Sequence, residues 1–269
     1  MGLHYMAHMR LPEQRDAMNK KALQEKLKGK HLLLQPHLDD VPFSVGSMIL
    51  NEYIHKEDCT IYTIFGKEFF NIRNYEYDEH AMQLLREEEA KWFQAAGMVN
   101  KRFELEEAGY RGITSIRKLF RAKLASEFDM QYEQLDYGNW QEVSACIKEI
   151  LKNNVCDYVW IPAGVGGHCD HIAVRQAVLA LLYEFKGKEI LFFEELPYSL
   201  YSKSIDWKKC VIKDFHQEEL LVHDLSDEEQ KRKYESLQYF HSQIDARQAM
   251  SLCNHAETIH MWMRNKMEE

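Results

Sequence analysis

An α/β fold with a mainly parallel sheet is the architecture this sequence predicts, and three observations predict it. Short apolar or β-branched runs recur at Leu32–Leu34, Cys59–Phe65, Asp157–Ile161 and Glu189–Phe193. Segments of helical periodicity lie between them, at Ser44–Tyr53, Ala81–Ala96, Trp140–Leu151 and Ile172–Tyr183. Glycine and proline punctuate the joints, as at Gln35-Pro36, Gly97 and Pro162–Gly167. Strands that alternate with helices form crossover units, and such units build parallel sheets.

Taken in order, residues 1–30 are polar and locally basic, with a helix expected over Arg15–Leu27. They read as an N-terminal extension, either a surface helix or a frayed arm. Leu32-Leu33-Leu34, closed by Gln35-Pro36, reads as a buried parallel strand. Val45, Met48, Ile49 and Tyr53 recur at helical spacing, with Ser44 as the expected N-cap. The run at 59–65 is β-branched and aromatic, hence a second strand. The helix from Ala81 closes on Gly97, and its Glu87-Glu88-Glu89 run reads as a solvated face. Trp92, Phe93 and Trp140 read as core or a pocket wall. Gly109–Gly112 reads as loop and Ile116–Phe128 as helix. Trp140–Leu151 is amphipathic and leads into the third strand, the glycine-rich loop and the helix from Ile172. The fourth strand is Glu189–Phe193, and Met261 and Met263 suggest a partly buried C-terminal helix. Neither a repeat nor a low-complexity linker interrupts the chain, so residues 31–269 read as one domain.

Composition narrows the function classes. Among 269 residues, 34 are Lys or Arg and 43 are Asp or Glu, for a net charge of −9. An acidic chain without a basic block is a poor binder of phosphate backbones, so nucleic acid is not an expected partner. The longest clean apolar run, Ala177–Tyr183, is far short of a membrane span. The N-terminal stretch lacks the apolar core of a secretory signal. Six cysteines stand singly, with no C-x-x-C pair, as in a reducing compartment. A cytoplasmic protein is therefore expected, with its oligomeric state left open, a homo-oligomer included.

Two constellations carry chemistry. Pro36-His37-Leu38-Asp39-Asp40 follows the first strand, and Gly166-Gly167-His168-Cys169-Asp170-His171 follows the third. Ligands of open α/β sheets bind beyond the carboxyl ends of the strands, so both clusters lie on the reactive rim. Together they supply imidazole nitrogens and carboxylates, the donor set that zinc takes with a position left open. A carboxylate outside such a donor set can take a proton from water, and a further histidine can hydrogen-bond a developing oxyanion. The loop at 164–167 fails the dinucleotide-binding pattern, since Cys169 stands where its third glycine belongs.

These motifs resemble the LmbE-like deacetylase family, which includes the de-N-acetylase of glycosylphosphatidylinositol synthesis. PHLDDV at 36–41 is similar to that family's first motif, and GVGGHCDH at 164–171 to its second. Supporting matches are Leu85–Ala90, Phe193–Tyr198 and Tyr239–Gln243, so the resemblance runs from about 30 to about 245. It implies a Rossmann-like three-layer fold. It implies His37, Asp40 and His171 as metal ligands, Asp39 as general base, and His168 as oxyanion stabiliser or acid with Asp170 orienting it. Arg86 would face the substrate. Two departures are Val41, where many members carry glutamate, and Cys169, where an apolar residue or proline is expected; Cys169 reads as buried filler.

The expected activity is therefore hydrolysis of an N-acetylated amino sugar, or of its conjugate, with release of acetate. Zinc is the expected metal, and ferrous iron suits the same donors. The rival readings are an amidase or other hydrolase of a different small-molecule conjugate, and a non-catalytic sugar-binding relative.

Overall fold

The computed structural model describes residues 20–67, 70–71, 76–77, 79–113, 140–181, 187–202, 205, 207, 210 and 212–265. Strands β1 (His31–Gln35), β2 (Cys59–Thr63), β5 (Asn100–Arg102), β6 (Tyr158–Pro162) and β7 (Glu189–Phe193) run parallel, in the order β5-β2-β1-β6-β7. Strand β9 (Glu257–Arg264) joins β7 antiparallel and carries β8 (Phe215–His223) on its far side, completing seven strands. A small antiparallel pair, β3 (Phe70–Asn71) with β4 (Glu76–Tyr77), stands apart from this sheet.

The two-residue period of the strands sorts their apolar side chains onto two faces. Leu32, Leu34, Val159, Ile161, Ile190 and Phe192 pack beneath helices α5 (Trp140–Asn153) and α6 (Cys169–Leu181), against Val143, Ile147, Ala173 and Ala177. Leu33, Ile61, Trp160, Leu191 and Phe193 face the other way. They meet α1 (Lys20–Lys26), α2 (Asp40–Ser44), α3 (Gly46–Leu50), α4 (Glu79–Ala96), α8 (Asp227–Leu237) and α9 (Ala246–Cys253). The short α7 (Tyr198–Tyr201) follows β7. The result is the three-layer architecture with a mainly parallel sheet. Its central strands are apolar on both faces because both are covered; Leu33 is fully buried, and its truncation to alanine would cost about 2–5 kcal/mol.

The strand order places the site. The chain leaves β1 towards β2 and β5, then crosses back to β6 and β7, so the order reverses between β1 and β6. At such a reversal the loops beyond the two carboxyl ends diverge and leave a crevice. Both polar motifs occupy it: His37–Asp40 follows β1, and His168–His171 follows β6.

Several local expectations are corrected. The first crossover helix begins at Asp40 rather than at Ser44, and it breaks at Val45 into α2 and α3. Ser44 ends α2 and its Oγ accepts the Leu196 N–H, so it is a tie to the segment after β7 and not an N-cap. The region of Met261 and Met263 is strand β9; its Thr-Ile-His-Met-Trp-Met run pairs with β7 and β8, and that pairing overrides local helix preference. The Glu87–Glu89 run is not a solvated face. Glu88 and Glu89 are buried, Glu88 accepting from Ser242 and Glu89 from Gln35, Thr63, Asn100 and Arg102. Trp92 and Phe93 are core as expected, and so is Cys169. The helix expected at Ile116–Phe128 lies outside the described residues. No described helix is long and apolar enough to cross a membrane.

Candidate metal centre

The site begins with the turn after β1. Gln35, the last residue of that strand, uses its side-chain oxygen to accept the Val41 N–H, and its amide nitrogen donates to Thr63 and Glu89. His37 donates its backbone N–H to Asp40 Oδ2 at 2.8 Å, curling the motif back on itself. Asp39 and Asp40 thereby open α2, where carboxylates complement the helix N-terminus.

The second arm is the glycine loop after β6. Gly164 and Gly166 have φ of 83° and 80°, a left-handed backbone that glycine takes without strain. A Cβ on Gly164 would also lie 2.6 Å from Arg175 and Ile172. His168 stands at the N-terminal boundary of α6, and its backbone oxygen accepts the Ile172 N–H. One helical turn then delivers Asp170 and His171 to the crevice.

The two arms converge. His37 Nδ1 lies 3.2 Å from His171 Nε2. His171 Nε2 lies 3.3 Å from Asp40 Oδ1, and His37 Nδ1 lies 3.6 Å from Asp40 Oδ2. Three donors around a tetrahedral zinc with bonds of about 2.0–2.1 Å would stand about 3.3–3.4 Å apart. His37 Nδ1 and His171 Nε2 stand near that spacing, and each approaches a different oxygen of Asp40, so the donor types and distances of these residues suit a divalent metal. His37, His168 and His171 also offer nitrogens that lie within 4.8 Å of one another.

The far nitrogens of His37 and His171 each face a carboxylate. His37 Nε2 is 3.1 Å from Asp170 Oδ2, and His171 Nδ1 is 3.0 Å from Glu195 Oε1. A histidine that donates one N–H to a carboxylate keeps its other nitrogen as a lone pair for a metal. Asp170 is itself fixed by the Ala108 N–H at 2.9 Å and by Arg111 Nη2 at 2.6 Å. Its backbone N–H reaches His168 Nδ1 at 3.3 Å, which assigns the proton of a neutral His168 to Nε2.

Buried charge sets the protonation states. Burial and the neighbouring Asp40 push the Asp39 carboxyl up to about 7, against the pull of His37 and His171. Burial would raise Asp170 too, but His37 and Arg111 hold it well below the usual carboxylate range. Burial lowers His168, and His37 and His171 add to that, so it is neutral at pH 7. Burial opposes charge on His171 as well, yet Asp40 and Glu195 raise it to about 9. Without a metal, a proton therefore sits on His171, itself one of the three donors.

Of the residues expected from sequence, His37, Asp40, His168, Asp170 and His171 meet in this cluster, and Asp39 adjoins it at the start of α2. Arg86 makes a separate set of contacts: its guanidinium donates to the Gly66 carbonyl and pairs with Glu104. Four participants carry no role in the motif reading. Glu195 belongs to the Phe193–Tyr198 segment and faces His171, and the same segment brings the Tyr198 ring to 5.3 Å from His171 and 6.1 Å from His168. Arg111 came from a stretch read as loop, where only proximity to Asp170 in space marks it. Glu107 is buried beside His37 and Asp170.

The chain is similar to known proteins in sequence and in fold. The 2'-N-acetylparomamine deacetylase of Streptomyces fradiae is 28% identical over 196 residues, which is 71% of this chain and 66% of that protein. The zinc-inhibited form of teicoplanin deacetylase Orf2 superposes with a TM-score of 0.64 at 18% identity, over 89% of this chain and all of that one. N,N'-diacetylchitobiose deacetylase from Pyrococcus horikoshii superposes with a TM-score of 0.55 at 13% identity, over 90% of this chain and 89% of that one. At these identities the two structures establish a shared fold. The family model described as PIG-L, GlcNAc-PI de-N-acetylase, matches residues 32–182, and the chain belongs to that family.

Proposed function

We propose that this chain is a metal-dependent de-N-acetylase that hydrolyses the acetamide of an N-acetylated amino sugar, or of its conjugate, and releases acetate. One observation carries the reading: the donor triangle of His37, Asp40 and His171 has a buried carboxylate, Asp39, directly beside it in the chain. A site that only stored a metal would have no use for this additional carboxylate. The Streptomyces fradiae relative is named for removal of an acetyl group from an amino sugar, which supports the substrate class.

His37, Asp40 and His171 would hold the metal, zinc before ferrous iron on the balance of imidazole and carboxylate donors. When bound, a divalent metal supplies positive charge that acidifies water and polarises a carbonyl. Asp39, raised to about 7, is poised to accept a proton near neutral pH and to pass it on to the departing amine. His168 is neutral with its proton on Nε2, so its part is to donate a hydrogen bond to the oxyanion rather than to act as a strong acid. Asp170 orients the His37 ring through Nε2 and meets His168 through its backbone. Arg86, on α4, reaches the Gly66 carbonyl beyond β2 and would face the substrate from that side.

The test is metal analysis of the purified chain, alongside acetate release from a panel of N-acetylated amino sugars. Stoichiometric metal with turnover of at least one sugar is the expected result. Metal without turnover of any sugar would disfavour the reading, and acid release from a second panel of other N-acyl conjugates would then separate an amidase of different substrates from a binding relative.

A further inference from the structure

The segment after β7 forms a third arm of the site, and its buried carboxylate has a defined place there. Glu195 is fully buried. Its Oε1 accepts the Gly164 N–H at 2.6 Å and faces His171 Nδ1 at 3.0 Å, while its Oε2 accepts the Val165 N–H at 3.1 Å. One carboxylate thus clamps the start of the glycine loop and the far side of an imidazole on α6. The neighbouring Leu196 N–H is tied to Ser44 at the end of α2, so the clamp is braced against the first motif as well.

We propose that Glu195 is a positioning residue for the metal centre: it fixes the tautomer and ring orientation of His171, and locks that ring to the conformation of the glycine loop. The inference rests on the reading of His171 as a metal ligand. The physical reason is directional. Once a metal displaces the Nε2 proton, donation from Nδ1–H to Glu195 would keep Nε2 as the lone pair facing His37 and Asp40, and a carboxylate on the far nitrogen raises the basicity of the near one. The left-handed Gly164 delivers the N–H that holds Oε1, so the loop's backbone, rather than a side chain, sets where the carboxylate stands.

The substitutions separate orientation from packing. Glu195→Leu fills similar space but offers His171 no acceptor. Glu195→Asp keeps the charge and withdraws the oxygens by one methylene, too far to hold both the loop and the ring. Glu195→Gln keeps an acceptor oxygen at the Oε1 position for Gly164 and His171, and loses only the bond from the Val165 N–H, against which its amide nitrogen would stand. Zinc affinity is read by competition with a chromophoric chelator, and ligand geometry by the visible spectrum of the cobalt-substituted protein. Circular dichroism checks that each variant is folded.

The expected result is a loss of zinc affinity of about 10–100-fold in the leucine variant, the range for removal of such outer partners. The aspartate variant should fall between leucine and wild type, the glutamine variant should stand nearest to wild type, and the cobalt spectrum should change in the same order. Wild-type affinity and an unchanged cobalt spectrum in a folded Glu195→Leu protein would overturn the proposal; if that variant does not fold, the same outcome in Glu195→Asp overturns it. Failure of wild-type protein to bind zinc would instead defeat the metal-centre reading beneath it, and loss of zinc on His171→Ala confirms that the two are being judged separately.

Discussion

His31 and His37 stand at opposite ends of the same central strand, and both are buried. At the amino end, both nitrogens of His31 are closed by the protein: Nε2 faces the Leu27 carbonyl at 2.8 Å, and Nδ1 accepts the Trp160 indole N–H at 2.9 Å. Burial holds that ring neutral, with its pKa lowered to about 4. At the carboxyl end, Asp170 takes one nitrogen of His37, while the other converges with His171 and Asp40. A histidine whose two nitrogens are closed by neutral partners is packing. One that is oriented by a carboxylate and aimed at other donors is chemistry. The buried Lys233–Glu257 pair belongs with His31, since Glu257 is satisfied by Lys233 and by the Ser47 and Met48 N–H groups.

Substitutions can break this contrast in order of size. His171→Ala should abolish metal binding and reduce acetate release to background, as measured by metal content after dialysis; retained stoichiometric metal would refute its role as a ligand. Asp39→Asn should keep the metal and lower the rate by about 10²–10⁴-fold, the usual worth of a positioned acid–base group. Equal turnover by that variant would remove Asp39 from the mechanism.

Metal affinity should also fall as pH drops below about 9, because the proton on His171 competes for the same nitrogen. Titration of zinc affinity against pH checks this, and a flat profile would contradict it.

His31 should respond in the opposite compartment of behaviour. The unfolded chain takes up a proton near 6.5 and the folded ring only near 4, so stability falls as pH drops through that window. The loss is on the order of 3 kcal/mol at most, read as the difference in denaturant midpoints between wild type and His31→Phe across the window. Metal content should not change in that variant. The smallest effect is expected from Arg86→Ala, a rise in KM of a few-fold with metal retained, on the order of 1 kcal/mol for one exposed-side hydrogen-bonding group; an unchanged KM would leave Arg86 with its contacts to Gly66 and Glu104 alone.

Much of the site was legible because its two motifs are contiguous and each sits where a strand meets a helix. The turn after Leu34 and the turn after Ile161 both announce themselves by apolar runs that stop at polar clusters. Legibility failed where a residue's meaning depends on a distant partner. Glu88 and Glu89 look like a solvated run until Ser242 and Arg102 arrive to bury them. Ser44 looks like a cap until Leu196 reaches it. The last strand has methionines that suit a helix, and only pairing with β7 and β8 makes it extended.

By itself, then, the sequence determined the alternation of strands and helices, the mainly parallel sheet and the donor types on the rim, because periodicity and turn chemistry are local properties; the three-layer class came with the family resemblance. The tertiary structure alone decided that the crevice lies between β1 and β6, that His37 Nδ1 and His171 Nε2 come within 3.2 Å, and that Asp170 and Glu195 orient them. Those are distances between atoms far apart along the chain, and they exist only once burial of the two apolar faces has closed the sheet between its helices.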